Sequence, residues 1–184
     1  MPVASLVGYT NAGKSTLLRS LTRTKVTVED RMFATLDPTS RRLRVPRDRE
    51  VVITDTVGFI RDLPQDLVAA FHATLEELEH ADLLLHVVDA AESDFERRIE
   101  IVREVLAKIG VAATPELLVF NQIDRLPSGV GAAIAKRHRG VAISALHRRG
   151  LDELVERAQI LIFDGERGAA NAQEKRAAEQ GGRR

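Results

Sequence analysis

Short apolar runs alternate along the chain with longer stretches whose apolar positions recur at helical spacing. The runs "VASLV" (3–7), "VVITD" (51–55), "DLLLHVVD" (82–89), "LLVFN" (117–121) and "VAIS" (141–144) predict strands. Several are nearly continuous in Val, Leu and Ile, as in parallel strands covered on both faces. Between them, Leu67, Phe71, Leu75 and Leu78 repeat with a helical period, as do Phe95, Ile99, Val102, Leu106 and Ile109. Ser93 and Glu96 predict a capping box for the second of these helices, and a last helix is predicted from Leu151 to about Phe163. Such alternation predicts an α/β fold, a mostly parallel central sheet with helices on both faces. From Gly165 the pattern stops, and "EQGGRR" closes a stretch with no apolar face to bury. Residues 1–164 are therefore read as one domain and 165–184 as a disordered tail, with fraying helix over 169–180.

Composition narrows the class. Apolar residues make up 44% of the 184 and charged residues 29%, a soluble globular balance. Lys plus Arg and Asp plus Glu are 27 each, so no chain-wide basic footprint for DNA exists, and any RNA contact is a local patch. The absence of cysteine excludes disulfides and thiolate metal sites. No apolar run reaches transmembrane length, and "MPVASLVGYTN" lacks the basic start of a signal peptide. A cytoplasmic monomer without a membrane partner is the expectation.

The stretch "GYTNAGKST" follows one predicted strand and opens a helix, the setting a phosphate-binding G-x-x-x-x-G-K-[ST] loop requires. It comprises Gly8, Tyr9, Thr10, Asn11, Ala12, Gly13, Lys14, Ser15 and Thr16. Gly8 and Gly13 let consecutive N–H groups turn toward phosphate oxygens, and the helix N-terminus adds partial positive charge. Lys14 would reach the β- and γ-phosphates, and the Ser15 hydroxyl would ligate Mg²⁺.

Three later segments select the base. In "DTVG", Asp55 would hold Mg²⁺ through water, and the Gly58 N–H, after Thr56 and Val57, would meet a γ-phosphate. In "NQID" (Asn121, Gln122, Ile123, Asp124), Asp124 would accept guanine N1–H and the 2-amino group, donors that adenine lacks. Ser144, Ala145 and Leu146 would support guanine O6 from the backbone. All four segments follow predicted parallel strands, whose carboxyl ends share one edge of an open sheet. The reading is a GTP and GDP site.

In this order these are the motifs of TRAFAC-type, Ras-like P-loop GTPases. "GYTNAGKSTL", "FATLDPTSRRL" (33–43) and "DTVGFIRDLP" (55–64), followed by "LVAAFHATLEEL", closely resemble the HflX family of ribosome-associated GTPases over about residues 3–163. The resemblance implies that Phe33, Ala34, Thr35, Leu36 and Asp37 form switch I, with Thr35 ligating Mg²⁺ beside Ser15. It implies a catalytic set of Lys14, Thr35 and Gly58, and the large ribosomal subunit as partner, in rescue, splitting or biogenesis of ribosomes. Without it, Thr35 would read as an ordinary β-former.

The chain departs from that pattern in three places. Gln122 stands where such GTPases usually carry Lys, so a cation that ties this loop to the phosphate loop is missing. The sequence starts just before the phosphate loop, where the family carries an N-terminal domain, and only the tail follows the last helix; an isolated G domain or a truncated gene product is expected. Phe59 follows the Asp-x-x-Gly where Ras-type enzymes place a water-orienting Gln, which predicts slow turnover awaiting a partner. A binding module with negligible turnover is the competing reading. From spacing alone Asn11 is a turn residue; the resemblance sets beside it a second reading, an Asn that helps place K⁺ where an arginine finger would act. His86 within "LLLHVVD" reads as a hydrogen-bonded core residue, and "RRLRVPRDR" (41–49) as a solvated hairpin or an RNA contact.

Overall fold

The near-continuous apolar runs 82–89 and 117–121 become strands whose two faces are both covered by helices. The computed structural model describes residues 1–22, 40–45, 49–55 and 78–163. Strands β1 (Val3–Val7), β2 (Ser40–Val45), β3 (Arg49–Asp55), β4 (Leu83–Asp89), β5 (Glu116–Asn121) and β6 (Val141–Ala142) form one sheet, ordered β2-β3-β1-β4-β5-β6. The neighbours pair in parallel except β2 and β3, which form an antiparallel hairpin. The arginine-rich stretch is thus the hairpin that its polar character predicted.

The period of two sorts side chains into two layers. On one face Ala4, Leu6, Leu85, Val87, Leu117 and Val119 pack against Leu17 and Leu21 of helix α1 (Lys14–Thr22), and against Leu151, Leu154 and Ile162 of helix α4 (residues 151–163). On the other, Leu84 meets Val102 and Leu106 of helix α2 (Phe95–Ile109). Farther along that face, Val88, Leu118 and Phe120 meet Ile99 of α2 and Ala135 of helix α3 (Val130–Arg137). Ser5 and Thr54, paired across β1 and β3, satisfy each other's buried hydroxyls at 2.9 Å.

Two sequence expectations are corrected. Ser93 does not cap α2: the N-cap is Asp94, and its side chain makes no capping bond. The backbone turns first, with Glu92 N–H bonded to Asp89 O and Phe95 N–H to Glu92 O, so Ser93 lies inside a turn. Glu92 and Asp94 instead take the Arg98 guanidinium at 3.1 and 2.9 Å. The last strand is shorter than "VAIS", because Ser144 leaves β5 to form an isolated bridge with Arg149. The helix predicted through Leu67, Phe71 and Leu75, and the tail, fall outside the described residues.

Candidate functional site

The carboxyl ends of β1, β3, β4 and β5 meet at one sheet edge, with the start of α1 between them. After Val7 the chain reverses through a loop that only glycine permits at two points. Gly8 has φ +150°, and a Cβ there would stand 2.3 Å from Val87 O. Gly13 has φ +94°, and its Cβ would stand 2.4 Å from Asn121 Nδ2. The loop curls back over its own lysine, whose Nζ donates to Gly8 O and Tyr9 O at 3.1 Å each. Lys14 is buried, which lowers its pKa, while the Asp55 carboxylate opposes that shift.

Ser15 Oγ donates to Asp55 Oδ2 at 2.7 Å, joining the helix start to the end of β3. Asp55 Oδ1 is buried and finds no hydrogen-bond partner among the described residues, an orphan that a hydrated cation would satisfy. Among the described residues no three His, Asp or Glu side chains cluster as a metal cage. A cation here would therefore rest on hydroxyls, Asp55 and nucleotide oxygens, the donor set of a Mg²⁺–nucleotide site.

Asn121 closes the site from the other side. Its Nδ2 donates to Ala12 O and its Oδ1 accepts from Ala145 N–H, both at 3.0 Å. One buried side chain thus clamps the phosphate loop to the loop after β6. Ser20 Oγ donates to Ala145 O at 2.6 Å, adding a tie from α1 that the sequence did not signal. Ser144 Oγ donates to Asp124 Oδ1 at 2.5 Å and accepts from His147 N–H at 3.2 Å. The Ser144 hydroxyl is the main cause that holds the Asp124 carboxyl below its ordinary range, so Asp124 is a carboxylate at neutral pH. Leu146 is 71% exposed at this edge. Ile123 turns away, packing against the third apolar cluster and Gly131. Thr16 lies on α1, one residue beyond Ser15.

Sequence reasoning missed a polar chain along the rim. Gln122 Nε2 donates to Asn11 O at 3.2 Å, so this loop and the phosphate loop are tied without a lysine. Arg125 Nη1 donates to Gln122 Oε1 at 2.8 Å and to Asp89 Oδ2 at 3.2 Å. His86 is the core residue expected, with Nδ1 2.6 Å from Glu116 Oε1. Phe33, Ala34, Thr35, Leu36 and Asp37, and Thr56, Val57, Gly58 and Phe59, fall outside the described residues.

Residues 3–122 match the family described as 50S ribosome-binding GTPase. The chain belongs to that family. Within it the likeness is to the G domain of HflX. The chain is 51% identical to GTPase HflX of Caldanaerobacter subterraneus subsp. tengcongensis over 166 residues, covering 89% of this chain and 37% of that protein. It is 56% identical to GTPase HflX of Escherichia coli K12 over 126 residues, 68% of this chain and 30% of that one. The chain thus spans about a third of the length of the curated relatives it matches. In fold it is similar to a GTP-binding protein from Sulfolobus solfataricus crystallised in complex with GDP (TM-score 0.72, 30% identity, 89% of this chain and 53% of that one). The Ras-like α/β architecture read from the sequence is therefore the one found.

Proposed function

We propose that the chain is the GTP-binding and GTP-hydrolysing domain of an HflX-type, ribosome-associated GTPase of the cytoplasm. One observation carries the reading. Asn121 holds the phosphate loop and the Ser144–Leu146 segment together while Asp124, two residues past Gln122, is kept ionised at the same edge. That arrangement suits a purine nucleotide with two donors on its base. The GDP held by the Sulfolobus neighbour supports the same ligand here.

In the proposed reaction the Gly8–Thr16 backbone cradles the phosphates and Lys14 meets the β- and γ-oxygens. Ser15, Thr35 and, through water, Asp55 would hold Mg²⁺, which when bound neutralises charge developing on the phosphate oxygens. The Gly58 N–H would meet the γ-phosphate, and Phe59 offers no group to orient water. Turnover by this chain is accordingly slow, and the large ribosomal subunit is the proposed stimulating partner. Among the described residues no helix is long and apolar enough to cross a membrane.

Nucleotide displacement tests the site. GTP and GDP should compete with a fluorescent GDP while ATP does not, and Asp124→Asn should move preference toward xanthine nucleotides. Equal competition by ATP would sink the assignment. Asn11 has φ 63°, a left-handed value that suits the turn role read from its spacing. If Asn11 also helps place K⁺, turnover in KCl should exceed that in NaCl at equal ionic strength, and Asn11→Ala should erase the difference. Equal rates in the two salts would leave Asn11 as a turn residue.

A further inference from the structure

Asp89 at the end of β4, Arg125 in the short 3₁₀ turn Ile123–Arg125, Gln122 and the Asn11 carbonyl form one continuous polar chain. From its anchor on β4 it runs through the base loop, at Arg125 and Gln122, to the phosphate loop at Asn11, the two loops that a nucleotide must bridge. Gln122 and Asn11 both sit at positive φ, 64° and 63°; asparagine tolerates that region, but for glutamine it costs energy and needs surrounding contacts to hold it. The Gln122 amide is used at both ends: its Nε2 holds Asn11 O, and its Oε1 is held by the Arg125 guanidinium. Arg125 is itself fixed by Asp89, whose other oxygen, Oδ1, accepts from Ala91 N–H at 2.9 Å. The arginine therefore sets the direction of the Gln122 amide, and the amide sets the spacing between the loops.

We infer that Arg125 is a positioning residue for nucleotide binding, acting through Gln122 to hold the base loop in register with the phosphate loop. This inference rests on the nucleotide-site reading above and adds the residue that aligns its two halves. A charged donor on an amide oxygen is among the stronger hydrogen bonds. Its loss should accelerate release of bound nucleotide more than it lowers the melting temperature, because Arg125 is 53% exposed. A lysine at 122 would reach for Asn11 O directly but would set its ammonium against the Arg125 guanidinium. It should help only when that guanidinium is gone.

The test uses the 184-residue chain and dissociation of N-methylanthraniloyl-GDP. Arg125→Ala should speed release by about tenfold, the size expected for one lost charge-assisted bond. Asp89→Asn, which keeps the oxygen that receives Ala91 N–H, should reproduce part of that loss and serves if Arg125→Ala folds poorly. Gln122→Lys alone should bring no gain, whereas Gln122→Lys with Arg125→Ala should return release to near the parent rate. Release unchanged in Arg125→Ala, or Gln122→Lys equally beneficial with and without Arg125, would overturn the inference. Asp124→Asn runs beside these variants as a control. If it loses guanine preference while Arg125→Ala behaves as the parent, the site reading stands and the relay alone has failed. If it keeps that preference, the site reading itself fails and takes the relay with it.

Discussion

Asn121 does two jobs that its geometry makes inseparable. Its donor end holds Ala12 O and its acceptor end holds Ala145 N–H, and the whole side chain is 2% exposed. Truncation would leave a buried carbonyl and a buried N–H without partners, each carrying a desolvation cost of about 1–3 kcal/mol. Asn121→Ala should therefore destabilise the fold by about 2–4 kcal/mol in urea unfolding and abolish GDP binding. Asn121→Asp keeps the acceptor but sets an oxygen against Ala12 O, so it should be nearly as damaging. A variant that unfolds like the parent would show that the two loops are held elsewhere. Gly13 belongs to the same argument: its missing Cβ makes room for Asn121 Nδ2, so the glycine and the asparagine are two halves of one close approach.

At the scale of elements, one carboxylate joins the sheet to α2. Glu116 opens β5, where His86 Nδ1 approaches its Oε1 at 2.6 Å and Arg103 of α2 donates to its Oε2 at 2.8 and 3.0 Å. Burial pushes the carboxyl up, but the hydrogen bonds from His86 and Arg103 outweigh burial and bring its pKa down from 4.5 to about 2. The folded value lies below the unfolded one, so the stabilisation is present above about pH 4.5 and is lost as pH falls toward about 2. With Glu116 one-fifth exposed, it should amount to about 2 kcal/mol at neutral pH. Glu116→Gln should cost about that much at pH 7, and its gap from the parent should narrow between pH 4.5 and pH 2 in urea titrations. A gap independent of pH would assign Glu116 a packing role only. The same elements show what a sequence makes legible. β4, β5 and α2 were readable because burial on two faces, or on one stripe, writes its period into neighbouring residues. The start of α2 was misread because Ser93 fits the capping motif while the preceding turn had already placed it elsewhere. The phosphate loop, Asn121 and Asp124 were readable because local chemistry constrains them. The Asp89–Arg125–Gln122–Asn11 chain was not, since its partners lie 36 and 111 residues apart and only the fold brings them together.

At the scale of the whole molecule, charge decides how a partner is met. The 27 basic and 27 acidic residues cancel, so no long-range field steers the chain toward RNA. Attraction to ribosomal RNA, if the large subunit is the partner, must come from a local feature, and the β2–β3 hairpin offers one. Arg41 and Arg42 are exposed on its first strand, and Arg49 on its second stacks over the Phe163 ring at 4.4 Å. A contact of two or three arginines neutralises few phosphates, so the logarithm of affinity should fall with that of salt at a slope of only about −2 to −3. GTP turnover titrated with large subunits at two salt concentrations should show weak stimulation that fades at the higher one. Arg41→Glu with Arg42→Glu should remove most of that stimulation while GDP affinity stays as in the parent, because neither side chain belongs to the nucleotide site. Tight binding that ignores salt, or stimulation that survives the double reversal, would place the ribosomal contact on another surface of the chain.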